Sequence, residues 1–221
     1  MADKPTILSV EYKLRFTKIA EYRNKVWRIL CEEYFSKFIP STARVLDMGA
    51  GWGEFINNIT AQEKYAMDLN PDAQQHIQSD VHFLQQDCAT PWRVESDSLD
   101  VVFTSNFLEH LPDKESVEYT IGEVFRCLKK GGKFICMGPN IKYVPGAYWD
   151  FWDHHITLTE LSASEIMKIV GFDIIRCIPR FLPYSMSREK NPPLFFVKTY
   201  LKMPFVWPIF GKQFLVVAQK P

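Results

Sequence analysis

A chain of 221 residues with 47% hydrophobic content is long enough to bury one well-packed core, and its composition excludes a disordered or collagen-like chain. Lys plus Arg and Asp plus Glu stand at 26 each, so no global field draws in a polyanion and a nucleic-acid partner is not expected. Five cysteines (Cys31, Cys88, Cys127, Cys136, Cys177), odd in number and never paired as CxxC, argue against a disulfide framework and a zinc site, and read as buried thiols.

The opening residues MADKPTILSVEYK hold no continuous apolar run and no small-residue cleavage site, so no signal peptide and a cytoplasmic location are expected. From Phe16 to Phe38 apolar residues recur at helical spacing until Pro40, which predicts one long N-terminal helix. The chain then alternates: strand Arg44–Asp47, helix from Gly53, strand Lys64–Asp68, a short helix after Pro71, and strands Val81–Gln86 and Leu99–Thr104. A helix from Lys114 to Lys130, capped by Gly131 and Gly132, leads into strand Lys133–Met137. A helix Thr159–Val170 stops at Gly171 before strand Phe172–Cys177, and Gln213–Ala218 is the last strand. This alternation predicts a mostly parallel α/β sheet.

The densest signal is VLDMGAGWGEF, Val45 to Phe55. Its glycines let the backbone pass close to a ligand. A dinucleotide loop calls for a third glycine where Glu54 stands, and Asp47, Glu54 and the lack of Lys or Arg in the loop oppose a pyrophosphate. Asp68, 19 residues after Gly49, has the position from which a carboxylate accepts bonds from two ribose hydroxyls. The ligand expected is cationic or zwitterionic, with a ribose and without a phosphate.

Five segments in order carry a resemblance: VLDMGAGWGEF, MDLNPD, QQDCATPW, SLDVVFTSNFLEHLPD and EVFRCLKKGGKFICMGPN. Over Tyr22 to Gly171 the chain resembles the class I S-adenosylmethionine-dependent methyltransferases of the broad methyltransferase-11/23 type. The resemblance implies a Rossmann-like seven-stranded sheet ordered 3-2-1-4-5-7-6 with the last strand antiparallel, and S-adenosyl-L-methionine as cofactor. It implies that Asp47, Gly49, Ala50 and Gly51 lie along the methionine part and that Asp68, with Leu69 beside it, holds the ribose. Asp87 and Cys88 would meet the adenine, and Asn106 and Phe107 would line the sulfonium side. One domain is expected: a helical cap (1–40), the cofactor core (41–180), an insert or lid (181–212) and the last strand (213–221).

Methyl transfer is an in-line displacement, so the protein must align the acceptor and, for a hydroxyl, remove its proton. In an open α/β sheet such groups come from loops beyond the carboxyl ends of the strands. Two clusters qualify. Glu109-His110, in SNFLEHLPD, reads first as packing; quinone O-methyltransferases hold a metal with a similar pair and a glutamate three residues earlier, where this chain has Asn106, and no metal is expected. GAYWDFWDHHITLT, Gly146 to Thr159, offers His154 or His155 as base, Asp150 or Asp153 as its orienting carboxylate, and Tyr148 and Trp149 as acceptor contacts. Tyr22 and Arg23 on the N-terminal helix are further candidates for closing over the substrate.

The expected reaction is methyl transfer to a small-molecule acceptor, on oxygen. A nucleic-acid or protein methyltransferase is disfavoured because SNFL replaces (D/N)PPY after strand four; transfer to nitrogen or carbon and a non-catalytic cofactor-binding subunit stay open. The aromatic insert PPLFFVKTYLKMPFVWPIFGK, Pro192 to Lys212, is too broken by Pro204, Pro208 and its lysines to span a bilayer. It is expected to pack as an intramolecular lid, to cover an apolar or lipid-linked acceptor, or to touch a membrane surface through 192–210.

Overall fold

The computed structural model describes residues 4–184 and 191–221. In chain order they form helices α1 (Lys4–Phe16) and α2 (Ala20–Glu33) and strands β1 (Arg44–Met48), β2 (Glu63–Asp68), β3 (Val81–Gln85) and β4 (Leu99–Ser105). Helix α3 (Lys114–Cys127), strand β5 (Leu128–Pro139), helix α4 (Glu160–Val170) and strand β6 (Asp173–Ile178) follow. Helices α5 (Leu194–Leu201) and α6 (Trp207–Phe210) and strand β7 (Gln213–Gln219) complete the chain. The strand order is β3-β2-β1-β4-β5-β7-β6, with β7 antiparallel to both neighbours, as the resemblance implies. Two compact units contain these elements: one spans residues up to 87 and 191–204, the other 88–184 and 205–221.

In the first unit β1 reads RVLDM, and Val45, Leu46 and Met48 are all fully buried. Consecutive apolar residues facing both ways are what a parallel strand covered on both faces requires. β1 pairs in parallel with β2, and β2 with β3. The carboxyl ends of β1 and β2 are thereby level, with Asp47 opposite Ala66 and Met48 opposite Met67. α2 buries Val26, Trp27, Leu30 and Cys31, spaced as one helical face, and Trp27 stacks against Phe35 and meets Phe55 edge-on.

In the second unit β5 pairs in parallel with β4 and antiparallel with β7, and Phe134, Ile135 and Val216 are buried. α3 opens on Asp113, whose carboxylate accepts from the Ser116 amide at 2.7 Å. α4 opens on a Thr159/Ser162 capping box and closes on Gly171 at φ +118, the left-handed stop expected there.

Several boundaries differ from expectation. The single N-terminal helix is two helices broken by a 3₁₀ turn at Thr17–Ile19, where the Thr17 hydroxyl bonds the Lys13 carbonyl and competes with the helical ladder. α2 ends at Glu33, short of Phe38. No helix starts at Gly53: the backbone from 53 to 59 mixes i+4 and i+3 bonds, and Asn57 and Asn58 turn their amides onto the His76 and Glu54 carbonyls. α3 stops at Cys127 rather than at a glycine cap, because Leu128 is already extended and paired with Leu99. The segment after Pro71 is 3₁₀. Four cysteines are buried as expected; Cys177, on the sparsely covered β6, is exposed.

The aromatic insert divides. In the first unit α5 packs on α2, with Lys198 paired to Glu33 at 2.7 Å, and leaves Phe195 and Phe196 exposed. In the second, Trp207 is buried against Phe181, while Phe205, Ile209 and Phe210 are exposed. The 181–212 segment also includes 185–190, which lie outside the described residues. Among the described residues no helix is long and apolar enough to cross a membrane.

Candidate functional site

The glycine turn leaves β1 with Gly49, Gly51 and Gly53 all at positive φ (+68, +53 and +74), which explains the residue type at each. The Gly49 and Ala50 amides both donate to the Met67 carbonyl at 2.9 and 3.1 Å, folding the turn back on the end of β2. Asp68 completes that fold: one carboxylate oxygen accepts from the Gly51 amide at 2.7 Å and the other from the Asn70 amide at 2.8 Å. Leu69 and Asp87 are half-buried on the same unit.

The electrostatics of the turn are acidic and desolvated. Asp47 is buried, and burial first, then the charges of Glu54 and Asp68, hold its carboxyl well above the usual range. A cationic group placed at this turn would favour the charged form of Asp47. Glu54 does not act alone: Arg23, about one helix turn into α2, holds its carboxylate at 2.8 Å with both groups buried, and the guanidinium lies 3.8 Å over the Phe16 ring. The loop is thus less uncompensated than its own sequence indicates. Tyr22, one residue earlier, donates to the Pro192 carbonyl at 2.7 Å.

Tyr12, on α1, was not among the sequence candidates. A Cβ placed on Gly51 would lie 1.9 Å from the Tyr12 hydroxyl, so the phenol rests directly on the turn. Tyr12 also meets Trp52 at 5.7 Å, and Trp52 stacks on His76 at 4.3 Å. Burial, then Glu54, pushes the phenol far above its ordinary range, so it stays a neutral hydroxyl. The salt bridge from Lys13 and the hydrogen bond from Ser9, both to Asp72, tie α1 to the segment after β2.

In the second unit, Cys88 presents its carbonyl to Trp92 Nε1 at 2.9 Å and to the Thr120 hydroxyl. β4 ends at Ser105, and Asn106 follows at φ +51, a conformation that asparagine tolerates and most side chains do not. Its amide donates to Met137 at the end of β5, and its side-chain Oδ1 is buried without a hydrogen-bond partner. Phe107 is half-buried next to it.

The two clusters that the sequence set apart converge. The Glu109 carbonyl accepts from the amides of His155 and Ile156 at 2.8 and 3.1 Å, which docks the loop after β5 onto the loop after β4. His110 Nδ1 faces the Asp153 carboxylate at 3.0 Å and the Asp153 carbonyl at 3.1 Å. Both are acceptors, so Nδ1 carries the proton and the neutral ring presents the Nε2 lone pair. Burial opposes charging this ring, but the hydrogen bond to Asp153 and the Glu109 and Asp153 charges outweigh it, and His110 titrates above ordinary imidazole. Burial raises Glu109 to about 7, against the pull of His110 and with the push of Asp153.

The adjacent histidines diverge: His154 is buried, within ring contact of His110 (4.8 Å), Tyr148 (4.5 Å) and Phe151 (4.9 Å), whereas His155 is exposed. Asp153 orients His110, on the loop after β4, and Asp150 is exposed. Tyr148 is fully buried with its hydroxyl on the Ile156 carbonyl, while Trp149 points outward. Glu109, His110 and His154 place one ligand-type atom each within 4.8 Å of one another. The cluster therefore promotes Glu109 and His110, which the sequence had set down as packing. The only sequence signal for it was the density of titratable residues in both segments.

The sequence profile of the family described as "Methyltransferase domain" matches residues 19–177. Among curated proteins, phosphoethanolamine N-methyltransferase 1 of Triticum aestivum is 31% identical over 106 residues, a match covering 42% of this chain and about a fifth (21%) of that protein. A chain of the complex between the Haloferax volcanii Trm112 methyltransferase activator and a methyltransferase superposes with a TM-score of 0.71 at 17% identity, covering 100% of this chain and 99% of that one. A SAM-dependent methyltransferase from Archaeoglobus fulgidus superposes with a TM-score of 0.68 at 17% identity, covering 93% and 99%. With the profile spanning more than half of the residues and the sheet in the implied order, the chain belongs to the methyltransferase-domain family of class I S-adenosylmethionine-dependent methyltransferases.

Proposed function

We propose that this protein transfers the methyl group of S-adenosyl-L-methionine to a hydroxyl oxygen of a small-molecule acceptor, releasing S-adenosyl-L-homocysteine. The observation that carries the oxygen assignment is the His110–Asp153 pair beside buried Glu109 and His154. A sulfonium methyl needs only an aligned nucleophile, and a group of this kind is required when that nucleophile must first lose a proton. Asp47, Gly49, Ala50, Gly51 and Asp68 hold the cofactor in this reading. The balanced charge of the chain supports a small acceptor. Exposed Phe195 and Phe196 on α5 support an apolar or lipid-linked one, or contact with a membrane surface.

A second reading, transfer to an amine nitrogen, is favoured by the name of the wheat relative. A panel of alcohols, phenols and amines, assayed by release of S-adenosyl-L-homocysteine, separates the two. Turnover of hydroxyl acceptors that is lost when His110 is replaced by alanine supports the proposal. Turnover of amines alone overturns it.

A further inference from the structure

We propose that Glu109, His110 and His154 bind one first-row divalent transition ion of the zinc class. The proposal rests on the reading that this cluster handles the acceptor, and it reverses the expectation of no metal drawn from the sequence. The first ground is placement: one oxygen and two imidazole nitrogens lie within 4.8 Å of one another. Ligand atoms about 2.1 Å from a tetrahedral ion are roughly 3.4 Å apart, so small side-chain rotations close the set.

The second ground is the support behind the ligands. A metal-binding histidine typically donates its other N–H to a carboxylate or backbone carbonyl, which fixes the tautomer and aims the lone pair. His110 donates Nδ1–H to both oxygen types of Asp153, so Nε2 is the atom left to bind. His154 is held between the rings of Tyr148, Phe151 and His110, and the two amides on the Glu109 carbonyl fix the loop that carries it.

The third ground is Glu109 itself. Its side chain is 2% exposed, and Oε1 has no hydrogen-bond partner. A buried carboxylate oxygen left unsatisfied is costly, and a cation is the partner that satisfies it fully. Two imidazoles and one carboxylate form a mixed nitrogen and oxygen set, which suits zinc, iron, cobalt or manganese rather than calcium or magnesium. Three protein ligands leave a position open, as in catalytic rather than structural sites. That position would take an acceptor's hydroxyl oxygen, and an ion there would lower that hydroxyl's pKa so that its proton passes to solvent.

The test uses the full-length chain, stripped with a chelator, dialysed and titrated with Co²⁺ in the absence of cofactor and acceptor. The expected result is one saturable site with visible absorption bands, displaced by Zn²⁺. It should weaken at least tenfold in Glu109→Gln and in His154→Ala and stay unchanged in the surface variant His82→Ala. Because truncating a buried histidine can disorder its loop, the wild type is also loaded with Cu²⁺ and its electron spin echo spectrum recorded, where two coordinated imidazoles are expected. No saturable binding, a spectrum without imidazole nitrogen, or binding indifferent to both variants overturns the site. Metal binding without hydroxyl turnover would sink the acceptor reading and leave the site standing. Full turnover in chelator would sink the site and leave the acceptor reading.

Discussion

The Asp153 carboxylate lies 3.0 Å from Nδ1 of His110, a residue 43 positions earlier in the chain. The pairing joins the loop after β4 to the loop after β5 and sets the ring's tautomer. Asp153→Asn keeps the size and removes the charge. Turnover should fall about tenfold to a hundredfold, the range for loss of a supporting carboxylate, with cofactor affinity near wild type. Steady-state kinetics beside calorimetry of cofactor binding decide it, and unaltered turnover means the pair has no functional part.

Asp68 both shapes the glycine turn and faces the ribose in the proposed pose. Asp68→Ala removes charge-assisted bonds, so cofactor affinity should weaken by roughly 1.5–3 kcal/mol, about tenfold to over a hundredfold. Titration calorimetry showing the same affinity in both proteins would rule out the ribose contact.

Gly51 and Tyr12 should be energetically coupled. Gly51→Ala forces a Cβ into the left-handed region, costing about 1–2 kcal/mol, and adds the clash with the Tyr12 hydroxyl. In a Tyr12→Ala background only the backbone cost should remain. Urea unfolding of the four proteins of this cycle should therefore give a coupling of about 1 kcal/mol or more. Strictly additive effects would mean that the phenol does not rest on the turn in solution.

Asp47 predicts a pH dependence of stability in the cofactor-free protein. Its folded pKa is raised, so the stabilisation from holding its proton is complete below the ordinary carboxylate range and is lost as pH rises through the folded value. Above that value the chain buries a carboxylate beside Glu54 and Asp68. Asp47→Asn cannot ionise and can still accept the Ile56 amide. Denaturation midpoints at neutral pH should be higher for the variant, the gap should shrink on acidification, and cofactor binding should weaken. A gap that is constant with pH would contradict the assignment.

The sheet was legible because its signals are local. The apolar runs of β1, β4 and β7 and the stop at Gly171 act within a few residues, and the ordered motifs carried the strand order and the cofactor. Boundaries failed where a long-range partner overrode local preference. Leu128 joins β5 because Leu99 pairs with it, and the residues after Gly53 fail to form a helix where Asn57 bonds the His76 carbonyl and Asn58 reaches Asn24.

The sequence by itself, through the resemblance carried by its five ordered motifs, determined a class I methyltransferase chain with a glycine turn flanked by Asp47 and Asp68. The tertiary structure alone decided that Arg23 neutralises Glu54, that Tyr12 lies on Gly51, and that Asp153 reaches His110. It also decided that His154 turns inward and His155 outward. Such pairings are set by where the N-terminal helices and the strand-end loops come to rest, and no spacing along the chain records that distance.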